Sequence, residues 1–301
     1  MTIDTSRKSV VFLITKPLQL IIAEMIREQC SYHDAQLIIL EGFSKARRIA
    51  ELMSSSARWG QVYCLRDMKD AHRKLASTHQ IDTLFVHADV GLRHHLFAFK
   101  LKRNNPNLKI AVYEEGTGSY RSSVIHSSLK KKVYALVGAG SRYAGSRFSD
   151  FYYVFTPNNI PAVSELSNVA IRQIKGDLVS FVQANLGYFE ECFEMPSGLV
   201  ELSGECCCIY LSSWSIDLNF IERKGGLVPE NSTWVLKLHP HIKGTIDVKG
   251  FHYSVPSYIP AELLIPKLAA QFKKLIVFHH GSSAALYIHS KNVAFQPIPS
   301  S

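Results

Sequence analysis

Three short clusters of polar residues have side chains suited to acid–base or anion-binding chemistry. They are Glu114-Glu115-Gly116, His239-Pro240-His241 and His279-His280-Gly281-Ser282-Ser283. Carboxylates and histidines transfer protons near neutral pH, and serine hydroxyls hydrogen-bond anions. Each cluster directly follows an apolar run, KIAVY, WVLKL and LIVF respectively. Because ligands of open α/β sheets bind outside the carboxyl ends of the strands, the clusters predict a polar binding site there.

Each cluster also has an ordinary structural explanation. Glu114 and Glu115 could lie in a solvated loop, and His239 could simply close a strand. Ser282 and Ser283 could cap the following helix, whose N-terminal N–H groups would otherwise attract a phosphate. The coincidence of all three clusters at strand ends favours a functional site. Because side chains alternate along a strand, we expect only one of the two glutamates to enter it.

The elements needed to position these clusters alternate between strands and helices in the first half of the chain. Apolar, β-branched runs predict strands at Val10–Ile14, Gln36–Leu40, Gln61–Leu65, Thr83–Val86 and Lys109–Tyr113. Amphipathic segments between them predict helices at 19–29, 44–55, 68–77 and 92–102. This alternation is typical of a parallel α/β sheet.

The alternation resumes after an irregular middle. We expect a helix over 119–136, a strand over 151–155, a Pro- and Asn-rich joint over 156–164 and a helix over 171–186. Further strands are predicted at 206–211, 234–238, 251–254, 275–278 and 292–295, and further helices at 215–223, 260–272 and 282–289. The pattern predicts an α/β protein of two Rossmann-like domains facing a cleft, at 1–155 and 205–301, with a linker and helical connection at 156–204.

Composition and charge limit the class of protein. The chain has 301 residues, of which 47% are hydrophobic, so it can bury a large core and is not a disordered chain. Its 34 Lys and Arg against 25 Asp and Glu give a formal charge of +9, which favours an anionic partner without selecting one. No RNA-binding signature, basic helix-turn-helix pattern or zinc finger accompanies the charge, so no nucleic-acid partner is expected.

The sequence carries no signal for a membrane span or for secretion. No run of about 18 apolar residues occurs, and the N-terminal apolar stretch lacks a cleavage site, so a cytoplasmic location is expected. The cysteines match neither a zinc spacing nor a disulfide framework, and we expect reduced thiols in a core. The histidines also lack the partner spacing of metal ligands, and no metal site is expected.

The order of the motifs resembles that of the bacterial lipooligosaccharide sialyltransferase family and the related bacterial polysialyltransferases. Glu114-Glu115-Gly116 is similar to their acidic-acidic-Gly motif, His239-Pro240 to their His-Pro motif, and Ser282-Ser283 to their Ser-Ser or Ser-Thr motif. The segment Thr15-Lys16-Pro17-Leu18-Gln19 resembles their Thr-Pro-Leu-Gln opening, with an intervening lysine. The resemblance spans nearly the whole chain.

This resemblance implies a GT-B fold with an acceptor-side N-terminal domain and a donor-side C-terminal domain. It implies inverting, metal-independent transfer of sialic acid from CMP-sialic acid to a terminal sugar, expected to be galactose, of an O-antigen, lipooligosaccharide or capsule. Glu115 would be the general base, with Glu114 as the alternative, although family members usually have aspartate there. His239 would protonate or hydrogen-bond the departing phosphate, and as an imidazolium it would offset the developing charge.

The remaining expectations concern substrate binding, and no cofactor is among them. Lys237, His239 and the helix end at Gly281, Ser282 and Ser283 would neutralise the single phosphate of the donor without magnesium. Other residues expected at the substrates follow strands or belong to the motifs: Tyr210, Ser212, Ser213, Pro240, Gly116, Thr15 and Gln19.

Three alternatives stay open on the sequence. A different GT-B enzyme would use another nucleotide sugar. A glycoside hydrolase would act through Glu114 and Glu115, which are poorly placed as sequence neighbours to flank one bond. A nucleic-acid or membrane-binding module would rest on the positive charge alone.

Basic residues cluster at several places along the chain. Their simplest explanation is a solvated surface, and the sharper one is peripheral contact with an anionic membrane that presents a lipid-linked acceptor. The clusters are Arg47–Arg48, Lys100 with Lys102 and Arg103, Lys130–Lys132, Arg142 with Arg147, and Lys273–Lys274.

Overall fold

A computed structural model describes residues 9–78, 80–199, 201–242, 246 and 248–299. The chain divides into two compact units. Unit 1 ends at Lys175 and unit 2 begins at Gly176, except that the short segments Lys16–Leu18 and Phe43–Lys45 belong to unit 2. The division at 175 falls inside the segment 156–204, for which the sequence predicts a linker.

Unit 1 is built on a parallel sheet of seven strands in the order β3-β2-β1-β4-β5-β6-β7. The strands are β1 Val10–Ile14, β2 Gln36–Leu40, β3 Gln61–Leu65, β4 Thr83–Val86, β5 Lys109–Tyr113, β6 Phe151–Val154 and β7 Ala170–Gln173. The helices are α1 Pro17–Gln29, α2 Ala46–Ser55, α3 Met68–Ser77, α4 Leu92–Asn104 and α5 Ser128–Val137. Every residue of β1 is buried, as expected for a strand with neighbours on both sides and helices on both faces.

The strand order of unit 1 places a topological switch point between β1 and β4. The chain moves outward from β1 through β2 to β3, returns to β4 beside β1, and then continues outward on the other side. The carboxyl ends of strands next to such a reversal form the usual ligand-binding edge of an open α/β sheet. Thr15 directly follows β1 at this edge, and Glu114 and Glu115 follow β5, the strand beyond β4.

Two sequence predictions for the middle of the chain are wrong. The helix predicted over 119–136 is a 3-10 turn at Thr117–Tyr120, an irregular stretch, and then α5. Serine side chains bond the local backbone in that stretch, as when Ser123 Oγ accepts from the N–H of Ile125 at 3.1 Å, and this competes with helix formation. The helix predicted over 171–186 is instead the edge strand β7, followed by two short helices. All four β7 residues are exposed, so the strand lacks a period-two pattern.

Unit 2 is built on a parallel sheet of five strands in the order β10-β9-β8-β11-β12. The strands are β8 Gly204–Leu211, β9 Thr233–Lys237, β10 Tyr253–Val255, β11 Phe272–His279 and β12 Val293–Pro297. The helices are α6 Leu178–Ala184, α7 Leu186–Cys192, α8 Leu218–Arg223, α9 Ala261–Ala269 and α10 Ala284–Tyr287. The helix predicted over 282–289 is therefore only the single turn α10.

The central strand β8 carries three consecutive cysteines through the core of unit 2. Cys206 and Cys208 belong to the cluster of apolar side chains on one face of the sheet, together with Phe220 and Trp234. Cys207 is also fully buried, and alternation places its side chain on the opposite face. All cysteines of the described chain are free thiols, and the four in unit 2 are buried, as expected for small apolar core residues.

Both units have the strand order and parallel pairing of Rossmann-like domains, so the prediction of two Rossmann-like domains is confirmed. In unit 2 the switch point lies between β8 and β11, and His279 of β11 is in register with Leu211 of β8, which is in register with Lys237 of β9. The polar clusters after β9 and β11 thus leave the sheet at the same edge. In the described residues, no helix has the length and apolar character needed to cross a membrane.

Candidate functional site

The two adjacent glutamates after β5 have different environments. Glu114 is fully buried, and its carboxylate accepts the hydroxyl of Tyr120 at 2.5 Å and the N–H of Phe155 at 2.8 Å. Burial and the hydrogen bond to this carboxylate raise the pKa of Tyr120 well above its usual value, so Tyr120 stays a proton donor. Glu114 therefore ties the end of β5 to the end of β6. Glu115 is only half-buried.

Glu115 is linked to the end of β1 through one buried amide. Gln19 in α1 is fully buried and donates from Nε2 to Oε2 of Glu115. Its Oε1 accepts the N–H of Thr15 at 2.7 Å and the hydroxyl of Thr15 at 3.2 Å. Because both ends of the amide are occupied, the orientation of Gln19 is fixed and so is one oxygen of Glu115. The structure thus brings Thr15, Gln19 and Glu115 together, as expected if the opening motif and the acidic motif share one site.

The turn after Glu115 requires glycine at two positions. Gly116 has a φ of 138°, a backbone conformation that side chains with a Cβ rarely adopt. A Cβ on Gly118 would lie 2.8 Å from the ring of Tyr143. Burial, followed by the charge of Glu115, raises the pKa of Tyr143 to about 12, so this phenol remains protonated beside the carboxylate.

Two buried residues, Asp89 and Arg142, organise the loop that packs against this turn. Asp89, after β4, accepts the N–H groups of Ala144 and Ser146, both at 2.8 Å. Arg142, which lies in the same loop as Ala144 and Ser146, is fully buried and donates to the carbonyl of Ser119 at 3.4 Å. The solvated surface position predicted for Arg142 is therefore wrong. In the sequence Arg142 was notable only as part of a cluster of basic residues. Such a cluster does not show whether an arginine is exposed or is buried with a structural role.

Lys237, the last residue of β9, is a buried amine at the carboxyl-end edge of the unit 2 sheet. It is 4% exposed, and Nζ donates to the carbonyls of Leu238 and Ser257, the latter at 3.3 Å. Burial lowers the pKa of Lys237 to about 7, against the opposing attraction of Glu262. Glu262 in α9 is itself buried, and burial raises the pKa of its carboxyl. A substantial fraction of Lys237 is thus neutral at neutral pH.

His239 follows β9 as a half-buried neutral imidazole. Its N–H donates to Oγ of Ser212 at 2.9 Å, and its ring Nδ1 accepts the N–H of His241 at 3.3 Å. With Nδ1 as an acceptor, the proton of the neutral ring lies on Nε2. Burial, together with the nearby positive groups, lowers the pKa of His239 to about 4. In the free protein His239 is therefore a neutral Nε2–H donor and differs from the imidazolium expected from the sequence.

An exposed tryptophan stacks on the His-Pro-His turn. Trp214 is 72% exposed, and its ring lies 4.2 Å from that of His241 at an interplanar angle of 10°. The same ring is 5.2 Å from that of His239, at 28°. Trp214 was missed from the sequence, although an exposed tryptophan two residues after Ser212 at a strand end is a recognisable signal.

The cluster after β11 is organised by His279. Its Nδ1 accepts the N–H groups of Gly281 at 3.1 Å and Ser282 at 3.0 Å, so these two donors are not directed at an anion in this structure. Ser282 Oγ accepts the N–H of Ala284 at 3.3 Å, and its own hydrogen has no acceptor among the residues that the structure describes. Ser283 Oγ instead donates to Oε1 of Glu262 at 3.3 Å. The two serines of the motif are therefore not equivalent.

The other residues expected at the nucleotide have clear positions in unit 2. Tyr210 is fully buried in the core, where its hydroxyl accepts the N–H of Asp217 at 2.9 Å. Ser212 is buried beneath His239, and Ser213 Oγ closes a turn by donating to the carbonyl of Ser215 at 3.0 Å. Pro240 is half-buried between the two stacked histidines. Within the described residues, no group of three His, Cys, Asp or Glu side chains is arranged to hold a metal ion.

Comparison with known proteins supports the fold. No protein-family profile and no curated protein sequence matches the chain. A solved UDP-N-acetylglucosamine 2-epimerase is similar at 10% identity with a TM-score of 0.51, covering 91% of this chain and 74% of that chain. At this identity the similarity shows a shared two-domain GT-B fold and nothing about the reaction.

Two further solved structures are similar at lower TM-scores. The wall teichoic acid polymerase TagF is 11% identical with a TM-score of 0.49, and the alignment covers 92% of this chain. The chain spans 66% of the length of that polymerase chain. A UDP-GlcNAc 2-epimerase from Neisseria meningitidis, bound to UDP-GlcNAc, is 12% identical with a TM-score of 0.46 and coverage of 89% and 77% of the two chains.

Proposed function

We propose that the chain is an inverting, metal-independent sialyltransferase that moves sialic acid from CMP-sialic acid to a terminal galactose of a bacterial surface glycan. The observation that carries this proposal is the hydrogen-bonded group of Thr15, Gln19 and Glu115. Gln19 and Glu115 are 96 residues apart in the chain, and both belong to motifs through which the sequence resembles sialyltransferases. Their contact at the ligand-binding edge of unit 1 is expected if the two motifs form one acceptor site.

Glu115 is the general base in this mechanism. Its half-buried carboxylate, held by Gln19, accepts the proton of the acceptor hydroxyl as that oxygen attacks the anomeric carbon of sialic acid. The bond from the anomeric carbon to the phosphate oxygen breaks, and CMP leaves with the electron pair. Glu114 is a structural residue, because it is fully buried and already accepts two donors. This also argues against a glycoside hydrolase, which would need both carboxyl groups at one bond.

Unit 2 supplies hydrogen-bond donors for the departing phosphate. Among the described residues, the Nε2–H of His239 and the hydroxyl hydrogen of Ser282 have no acceptor, so both can be donated to a ligand. Both are neutral, so they stabilise the charge of the leaving group without magnesium. An approaching phosphate would raise the pKa of His239 from about 4 and increase its donor strength. Lys237 acts indirectly, by holding the carbonyls of Leu238 and Ser257 beside this site.

The proposal is tested by mass spectrometry of galactose-terminated acceptors incubated with the full chain and either CMP-sialic acid or UDP-GlcNAc. We expect an acceptor product with CMP-sialic acid only, and release of CMP that depends on the acceptor. Glu115→Gln is expected to lower the rate of transfer by about a hundred- to ten-thousandfold, whereas Glu51→Gln, at an exposed position of unit 1, should not. Transfer from UDP-GlcNAc alone, or full activity of Glu115→Gln, would refute the assignment.

A further inference from the structure

Two helices of unit 1 expose an unusual amount of apolar side chain. On α4, Leu92 is 39%, Leu96 55% and Phe99 44% exposed, and their spacing of four and three residues places them on one face. On α5, which has no buried residue, four further apolar side chains follow the same helical spacing: Leu129, Val133, Leu136 and Val137. Leu136 is 88% exposed. Contiguous apolar surface of this kind marks an interaction site in a soluble domain.

The two helices belong to one continuous surface. The N–H of Gly91, at the start of α4, donates to the carbonyl of Gly140, just beyond α5, at 3.2 Å. Tyr134 of α5 lies against Gly91, where a Cβ would be 3.6 Å from its hydroxyl. The ring of Phe99 lies 6.0 Å from that of Phe148, at a tilted angle. Helices α4 and α5 are therefore neighbours that meet at Gly91, and Phe148 lies beside Phe99 of α4.

The charged side chains of α4 and α5 are all positive. Arg93, Lys100 and Arg103 lie on α4, and Lys130–Lys132 form a run on α5. Neither helix contains an acidic residue, and none of these six cations forms an ion pair with another described residue. Lys100 and Arg103 are four residues from Leu96 and Phe99 respectively, so cationic and apolar side chains alternate along α4. Such side chains complement a surface that has anionic groups at its exterior and an apolar layer beneath them.

A groove beside α4 also combines apolar and cationic side chains. It has a volume of about 310 Å³ and runs between α3 and α4, with an apolar lining that includes Leu96 and Phe97. Arg93 and Lys100 also line it. An apolar lining beside two cations has the chemistry that complements a lipid with an anionic headgroup.

We propose that unit 1 docks on an anionic lipid surface through α4 and α5, with the apolar side chains inserted and the six cations at the headgroups. Lipid is favoured over a protein partner because both helices carry only positive charges beside exposed apolar side chains. Helices that bind at a membrane interface have this combination. The proposal extends the proposed function by giving the class of surface on which the acceptor would be presented. It does not depend on the donor or on the reaction.

The test is co-sedimentation of the full chain with phosphatidylcholine vesicles that contain or lack about 30% phosphatidylglycerol. We expect binding to the anionic vesicles only, weakened by about 0.5 M salt. The triple variant K130Q/K131Q/K132Q should lower the partition coefficient about a hundredfold, equivalent to about 3 kcal/mol. The charge-matched control K273Q/K274Q/K291Q, at exposed positions of unit 2, should bind like the unaltered protein.

A second pair of variants tests the apolar contribution. L96S/L136S should lower binding at every salt concentration, whereas L218S, which removes a 65% exposed leucine of unit 2, should not. Thermal unfolding of each variant controls for folding. The proposal is overturned if L96S/L136S binds vesicles as well as the unaltered protein does. It is also overturned if the unaltered protein does not bind anionic vesicles. If L96S/L136S then dissociates a dimer, the surface is an interface between two copies of the chain.

Discussion

The buried amine of Lys237 makes the stability of the protein depend on pH in a defined direction. The pKa falls from 10.5 in the unfolded chain to about 7 in the folded protein, with burial as the main cause. Below about pH 7 both states hold the proton, and the folded state carries a destabilising buried charge. Between about pH 7 and 10.5 the folded state has released the proton and the unfolded chain has not, so stability rises with pH. From about pH 6 to about pH 9 the gain attributable to Lys237 is about 3 kcal/mol.

The assay is urea unfolding of the unaltered protein and of Lys237→Met over this pH range. For each protein the free energy of unfolding is plotted against pH, and one curve is subtracted from the other. The subtraction cancels the contribution of groups that titrate alike in both proteins. The difference in unfolding free energy should change by about 3 kcal/mol across the range. At the alkaline end the variant should be less stable by about 1–3 kcal/mol, because the carbonyls of Leu238 and Ser257 lose their donor. Lys291→Met, at an exposed lysine, is the matched control. Parallel curves for the unaltered protein and Lys237→Met would refute a buried amine with a lowered pKa.

Three further outcomes are expected from single substitutions. Glu114→Gln should cost about 1–3 kcal/mol of stability in urea unfolding, because a carboxylate that accepts two donors becomes an amide; Glu115→Gln should cost less. Gln19→Leu should leave the N–H of Thr15 without its acceptor, lowering stability by about 1–3 kcal/mol and also slowing transfer, as measured by release of CMP. Trp214→Ala should raise the pKa of His239 from about 4 toward its ordinary value in an NMR titration, because burial of the His239 ring is the main cause of the low pKa and Trp214 stacks on that ring. An unchanged pKa would show that Trp214 does not contribute to this burial.

The sequence was most informative where a short apolar run is bounded by polar residues. The predicted strands at Val10–Ile14 and Lys109–Tyr113 have the bounds found in the structure, because nearly every residue of a central parallel strand is apolar. Strand β7 was missed for the opposite reason, since an exposed edge strand has no apolar pattern to read. Propensity alone could not distinguish its residues from the first turn of a helix.

The candidate site was predicted as a set of positions but not as a set of contacts. The sequence placed Glu115, His239 and Ser282 after strands, and the structure agrees. It could not distinguish Glu114 from Glu115, because the difference lies in Tyr120 and Phe155 as partners of the buried carboxylate. Long-range partners of this kind leave no local pattern in a single sequence. The low pKa of His239 in the free protein could not be predicted for the same reason, since the burial of its ring depends on residues from other segments.

The three cysteines of β8 give the core of unit 2 a chemical reporter of its own opening. Burial raises the pKa of Cys208 to about 12 and that of Cys207 higher still, so neither side chain is a thiolate in the closed core. Alkylation requires the thiolate in contact with the reagent, and these side chains reach it only when β8 separates from its neighbours. Cys30 and Cys64 of unit 1 are only half-buried and would be alkylated under milder opening. Mass-resolved alkylation can therefore follow the opening of the unit 2 sheet through its own cysteines, without an introduced cysteine.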